Sequence, residues 1–269
     1  HLCDRRQRQM CIRDRYLFSA NCIFVIFIII SFKYQNIKKI FLLAFDSYGL
    51  MNIMFKDLKN SVDYYIRSHT KFSRKNYKGE VNNDEAAYVF DILTRYMNPK
   101  PEGSLKILDI GSKNWAYVKG EYDFFRKYCD NLTLDGVEID AYRLYANLYS
   151  RFEAAKFYIK NLEGVRYYAD DLMNISDKYD YIIWLLPFVT PYPLEQWGLP
   201  KKYFMPQRLL EHACEILKKE MLIVNQGEQE AKIQQTLLDR TGLKYKFLGE
   251  IKSSIELFKN PRYGFLVLK

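Results

Sequence analysis

The 269-residue chain is 49% hydrophobic and 27% charged, with a formal net charge of +9 and five cysteines. Much of that charge sits in the first fifteen residues, HLCDRRQRQMCIRDR, which resemble translated sequencing-adapter sequence and carry five Arg without apolar periodicity. Residues 1–50 are therefore read as a non-native lead, with Met51 or Met54 as a natural start. The alternative is a membrane anchor over 16–32, an uncharged run at the short end of what spans a bilayer. Setting 1–50 aside roughly halves the formal charge, which then argues little for nucleic acid. Cys129 and Cys214 remain, too far apart for a disulfide framework or a zinc site. No metal is expected.

Residues 51–104 read as a helical N-terminal cap and 105–269 as one α/β domain. Two helices are expected over Phe55–Arg67 and Glu85–Tyr96, joined by the basic segment HTKFSRKNYKGEV. Its cluster Arg67, Lys71, Arg74, Lys75 and Lys78 reads as a solvated face, with phosphate contact as the competing reading. Turn chemistry at Asn98–Gly103 closes the cap.

Apolar runs then alternate with helical patterns. Strands are expected at LKILDI (105–110), Leu132–Glu138, Val165–Ala169, Tyr179–Leu185 and MLIVNQ (221–226). Helices are expected over 117–129, Ala141 to about Leu162, 206–218 and 228–240. In the long second helix of this domain, Tyr142, Tyr145, Tyr149 and Phe152 recur at helical spacing and read as its buried face. Two final strands, 243–251 and 263–269, lie too close for a helical crossover and should pair antiparallel. The fold class is thus α/β: a doubly wound, mostly parallel seven-stranded sheet with an antiparallel C-terminal hairpin.

The first strand opens into Asp109-Ile-Gly111-Ser112-Lys113-Asn-Trp115, the strand–loop–helix arrangement that presents backbone N–H groups to a ligand at the carboxyl edge of a sheet. The second strand ends in Glu138, followed by Ile139, where an acid can accept from two ribose hydroxyls. Ala-Asp170-Asp171-Leu172 follows the third strand.

In this order on these strands, the motifs resemble the class I (Rossmann-like) S-adenosylmethionine-dependent methyltransferases. The resemblance covers about 105–269. It implies that Asp109 orients the methionine end of S-adenosylmethionine, that Gly111 permits close backbone approach, and that Glu138 takes the ribose. It further implies that Asp170, or Asp171 in its place, contacts the adenine amino group beside Leu172. Lys113 and Trp115 stand where the family has its second and third glycines. After the fourth strand the family often carries Asn/Asp-Pro-Pro-aromatic; here Leu185-Leu-Pro187-Phe188 keeps the proline and aromatic but lacks the polar residue that accepts a target N–H. The loop through Tyr192 and Trp197 is then expected to receive an apolar or aromatic-bearing acceptor. The acceptor is unidentified, a small molecule being favoured slightly over RNA or protein. No catalytic base stands out; Glu195, Tyr192 and His212 have no distinguishing spacing, His212 reads as a packed helix residue, and His69 is assigned no role. The resemblance favours a cytoplasmic setting, because an anchored N-terminus would place the domain away from cytosolic S-adenosylmethionine. A non-catalytic nucleotide- or partner-binding protein on the same fold is the competing reading. The sequence fixes no oligomeric state.

Overall fold

A computed structural model describes residues 48–269 apart from 73 and 80–82. The expectations for the lead and the 16–32 anchor lie outside the described residues. Among the described residues no helix is long and apolar enough to cross a membrane.

Two helices, α1 (Tyr48–Thr70) and α2 (Asn83–Tyr96), precede the sheet, each longer than the sequence pattern indicates. The sheet follows as β1 (Glu102–Ile110), α3 (Val118–Phe125), β2 (Cys129–Val137), α4 (Arg151–Ile159), β3 (Val165–Tyr168) and β4 (Tyr179–Leu185). A short helix α5 (Pro191–Gln196) leads to α6 (Pro206–Ile216), β5 (Leu217–Gln226), α7 (Gly227–Asp239), β6 (Lys244–Glu250) and β7 (Arg262–Leu268). The strands are ordered β3-β2-β1-β4-β5-β7-β6. β1 through β5 are parallel, and β7 enters antiparallel to both β5 and β6. This is the seven-stranded Rossmann-like sheet expected from the alternating pattern. Because the chain winds outward in both directions from β1, the crevice outside the carboxyl ends of β1 and β4 is where such a sheet binds ligands.

The central strands β1 and β4 and the carboxyl half of β5 are buried on both faces, which is why they read as continuous apolar runs rather than alternating ones. Ile107, Leu134, Ile183, Leu222 and Val224 face α2, α3 and α4, packing with Val89, Ile92, Leu93, Phe124 and Ala155. Leu108, Ile182, Ile223, Phe265 and Val267 face α6 and α7, packing with Leu210, Ala213 and Leu238.

One expected element is overturned. The long helix from Ala141 is in fact an irregular loop over 141–150 followed by the nine-residue α4. Ser150 is the physical reason: its hydroxyl accepts from the Glu153 backbone N–H at 3.2 Å, the first half of a capping box that starts the helix there. Before it, Leu148 takes a left-handed φ of 64°, and Tyr145 and Tyr149 close a tight turn through an N–H···O bond of 2.8 Å. The tyrosines at helical spacing are therefore not one helix face; Tyr142 and Phe152 nonetheless stack at 5.4 Å across the loop end. A sequence pattern of period 3.6 cannot distinguish a helix from a turn whose polar neighbours are held by tertiary ion pairs.

Candidate functional site

β1 ends at Ile110, and Gly111 turns the chain with φ +74°. The Gly111 and Ser112 N–H groups both donate to the Val137 carbonyl at the end of β2, at 2.9 and 3.2 Å, which pins the turn across the two strands. Lys113 and Trp115, the two departures from glycine, both hold left-handed φ values, 56° and 51°. The loop thus keeps the backbone shape of a glycine-rich turn with side chains that pay about 1–2 kcal/mol each in local sterics. Compensation is visible at both. The Trp115 indole is fully buried beneath the loop and donates to Glu121 at 2.8 Å. It lies against Gly136, where an added Cβ would stand 2.8 Å from the indole and 2.7 Å from the Ser112 hydroxyl. Lys113 donates its backbone N–H to Glu138 at 2.9 Å and accepts at its carbonyl from the Tyr167 hydroxyl. Trp115 therefore points into the core.

A cavity of about 450 Å³ opens over the carboxyl edge of the sheet. Gly111, Lys113, Glu138, Ile139, Asp170, Asp171 and Leu172 line it, from the ends of β1, β2 and β3 in turn. Leu185, Pro187, Phe188 and Trp197 line it from the β4 side. Three expected residues are placed elsewhere. Ser112 is fully buried and donates to the Asp109 carbonyl at 3.1 Å, serving the turn. Asp109 is fully buried one layer back: Tyr117, which does line the cavity, donates to its Oδ2 at 2.8 Å. Its Oδ1 has no hydrogen-bond partner among the described residues. Tyr192 is 69% exposed on α5, outside the cavity lining.

Burial pushes the Asp109 carboxyl up to about 8, against the Tyr117 hydrogen bond and with the Glu138 charge adding to the rise. Glu121, also fully buried, is raised for the same reason, its neighbour Asp109 contributing. Glu138 is held from three directions. Its Oε2 accepts from Lys113 N–H and its Oε1 from Asp140 N–H at 2.7 Å, while Arg151 stands 3.6 Å away. Asp140 in turn meets Arg67 of α1 and Arg143, each at 2.5 Å, and Arg151 at 3.8 Å. Burial alone would raise Asp140, but Arg143, Arg67 and Arg151 outweigh it and hold the carboxyl below its usual range. At β3, Asp170 accepts from Asp171 N–H and from Asn174, both at 2.7 Å, and Asp171 caps the short 3₁₀ turn at Leu172–Asn174 through Met173 N–H.

The basic segment after α1 crosses the 141–150 loop. Arg74 N–H donates to the Leu148 carbonyl at 3.3 Å, its guanidinium lies over the Tyr149 ring, and the Lys71 ammonium lies over Tyr142. Arg67 belongs to the Asp140 network rather than to a solvated face. α1 also grips α5 and the segment after it: Asp57 accepts from Lys201 N–H at 2.7 Å, Lys56 pairs with Glu195 at 3.4 Å, and Asn60 donates to the Leu199 carbonyl. His212 packs against the Ile175 carbonyl at 2.9 Å, away from the cavity, and His69 stacks on Tyr65 at the surface. Asp180 receives Lys106 N–H at the opposite edge of the sheet, a structural role.

Residues the sequence did not single out also line it: Glu85 and Tyr88 from α2, Tyr117, Arg151, Phe258 and Lys259 before β7, and Arg262 at its start. Arg151 carries no spacing signal because it works by packing over the Trp197 ring at 4.4 Å. Tyr117 was legible only as the start of α3.

The strand order, the antiparallel β7 and the turn after β1 define a Rossmann-like fold. No family model and no curated protein matches the chain. Among solved structures it is similar in shape to an S-adenosylmethionine-dependent methyltransferase from Aquifex aeolicus, at 11% identity over 70% of this chain and 93% of that one, TM-score 0.49. It is also similar to magnesium protoporphyrin IX methyltransferase from Synechocystis with bound S-adenosylmethionine, at 13% identity over 81% and 96%, TM-score 0.44. A third is precorrin-6y C5,15-methyltransferase from Geobacter metallireducens, at 11% identity over 73% and 95%, TM-score 0.44.

Proposed function

We propose that this protein is an S-adenosylmethionine-dependent methyltransferase acting on a small-molecule acceptor, in a cytoplasmic setting, with α1 and α2 as a helical cap. The observation that carries the reading is the turn after β1. Two bulky residues hold left-handed backbone so that Gly111 and Lys113 face the cavity beside the acid at the end of β2. A Cβ placed on Gly111 would meet nothing within 4 Å, so the backbone there lies open to a ligand.

The residues fit the cofactor. Glu138 sits where ribose hydroxyls would donate to it, its two oxygens oriented by backbone N–H groups and each keeping acceptor capacity. Asp170 and Leu172 lie at the end of β3 for the adenine, and Tyr117, positioned by Asp109, faces the methionine end. When bound, S-adenosylmethionine supplies an activated methyl group on a sulfonium, already an excellent leaving group. The chain then has to align an acceptor in line and exclude water, a task of proximity rather than acid–base chemistry. Leu185, Pro187, Phe188 and Trp197 supply apolar walls for that, and Trp197 spans both sides of the cavity, its ring 6.2 Å from Phe188 and beneath Arg151. Leu185 offers no side-chain acceptor for a target N–H, so transfer to a planar amino group is disfavoured.

Titrating S-adenosylmethionine calorimetrically into the folded protein tests this. Saturable binding is expected, weakened by Glu138→Ala and by Asp109→Ala; no binding to folded protein overturns the reading. The second reading, a non-catalytic nucleotide- or partner-binding protein on this fold, draws on Lys113 and Trp115, the two bulky residues standing in the turn after β1. It predicts cofactor binding without methyl transfer to any acceptor.

A further inference from the structure

At the far end of the cavity β7 begins with Arg262, opposite Gln226 at the carboxyl end of β5. Its backbone is fixed: the Arg262 carbonyl accepts from Ile251 N–H at 2.7 Å, and the preceding Pro261 carbonyl accepts from Gly227 N–H at 3.0 Å. Its side chain is fixed as well. The guanidinium lies 3.4 Å from the centre of the Phe258 ring and 5.6 Å from that of Tyr88, so an aromatic pair sets its plane. Tyr88 and Phe258 themselves meet edge to face at 5.0 Å. Among the described residues, no carboxylate lies within ion-pair distance of Arg262. Glu85 and Glu230 line the same cavity; Glu230 accepts from Gln226 N–H, the Glu85 charge acts on the guanidinium, and the Tyr88 hydroxyl accepts from it. A half-buried cation held by two aromatic faces, with no carboxylate against it, can take a bound anion as its partner. The planar fork of an arginine matches the two oxygens of a carboxylate.

We infer that Arg262 is the anchoring residue of the acceptor subsite, and that the methyl acceptor is an apolar or aromatic molecule bearing a carboxylate. The inference rests on the methyltransferase reading for the word acceptor, but the anion site itself does not. The walls between Arg262 and the β4 loop are largely apolar, through Leu186, Leu209, Leu257 and Phe258, and Lys259 adds a second cation to the same lining beside Arg262. Arg262 lies at a strand start rather than in the loop after β4, so substrate polarity would be read at the β5–β7 edge.

The test uses the full chain saturated with S-adenosylhomocysteine and, in parallel, without it. Phenylacetate, indole-3-acetate and octanoate are titrated against their neutral amides, with inorganic phosphate as a further arm. At least one carboxylate should bind about tenfold or more tightly than its amide, the scale of a charge-assisted hydrogen bond. Arg262→Gln should abolish that discrimination and Arg262→Lys should keep part of it. Both variants should leave S-adenosylhomocysteine affinity unchanged, and thermal melts check that they fold. Equal binding of acids and amides, or discrimination intact in Arg262→Gln, overturns the inference while leaving cofactor binding untouched. Phosphate outcompeting every carboxylate overturns the carboxylate assignment. Failure of S-adenosylhomocysteine to bind strikes the methyltransferase reading instead, and the parallel series still reads the anion site.

Discussion

The two sides of the cavity are built by different physics. On the β1–β2–β3 side the polar groups at the cavity rim are held by several others: Glu138 by two backbone N–H groups and Arg151, Asp140 by three arginines, and the Gly111 turn by Val137. On the β4–β5 side the walls are Leu185, Leu186, Pro187 and Phe188, shaped by a left-handed Leu186 whose N–H donates to the Val224 carbonyl at 2.7 Å and by the prolines that start α5. A surface that must recognise one fixed polar ligand gains from preorganised hydrogen-bond partners, whereas an apolar wall selects by shape. The contrast teaches which side tolerates change.

The sharpest way to break it is Asp140→Ala, which strands Arg67, Arg143 and Arg151 around a lost carboxylate. Denaturant unfolding should show a loss of about 3–5 kcal/mol, as for removal of one partner of a buried ion pair; a neutral result would mean the network adds nothing. Next, Gly136→Ala drives a methyl into the Trp115 indole and should cost about 1–3 kcal/mol by overpacking. Unchanged stability there would show that the indole shifts freely. Lys113→Gly should go the other way, stabilising by up to about 1 kcal/mol if relief of the left-handed φ exceeds the added chain entropy. A clear loss would mean that the Lys113 side chain, whose ammonium lies 5.6 Å from the Trp197 ring, matters more than the strain.

The buried acids give a pH signature on the same side. Asp109 titrates near 4 when unfolded and is pushed up to about 8 by burial, so the folded state holds its proton more tightly between those values. Its contribution is fully present below about pH 4 and is lost as pH rises through about 8. Asp109→Asn should therefore flatten the decline of melting temperature between about pH 4 and about pH 8, in part only because Glu121 is shifted the same way. An unaltered slope would remove Asp109 as its source. On the apolar side, exposed Tyr192→Ala should change stability by no more than about 0.5 kcal/mol; a large loss would erase the contrast.

Strand positions were legible because buried parallel strands read as apolar runs, and Tyr179–Leu185 was placed to the residue. Gly111, Glu138 and Asp170 were legible because each stands at a strand end, where a change from apolar to polar marks the sheet's edge. The 141–150 loop was not. Its tyrosines mimic a helix, and what prevents one is the Asp140–arginine network and the Ser150 cap. Nor were Tyr88, Phe258 and Arg262 legible, since α2 and the segment before β7 come from opposite ends of the chain and meet only after folding.

By itself the sequence determined the alternation of strands and helices, the antiparallel ending and the acids at the strand ends, because these follow from local periodicity and from where the pattern stops. The tertiary structure alone decided that Lys113 and Trp115 keep a glycine-like turn, since their left-handed backbone is sustained by Glu138, Glu121 and the missing side chain of Gly136. It alone decided that Asp109 stands behind Tyr117 and that Arg262 faces the cavity. Side-chain direction at a site is set by what packs against it, and those neighbours are distant in the chain.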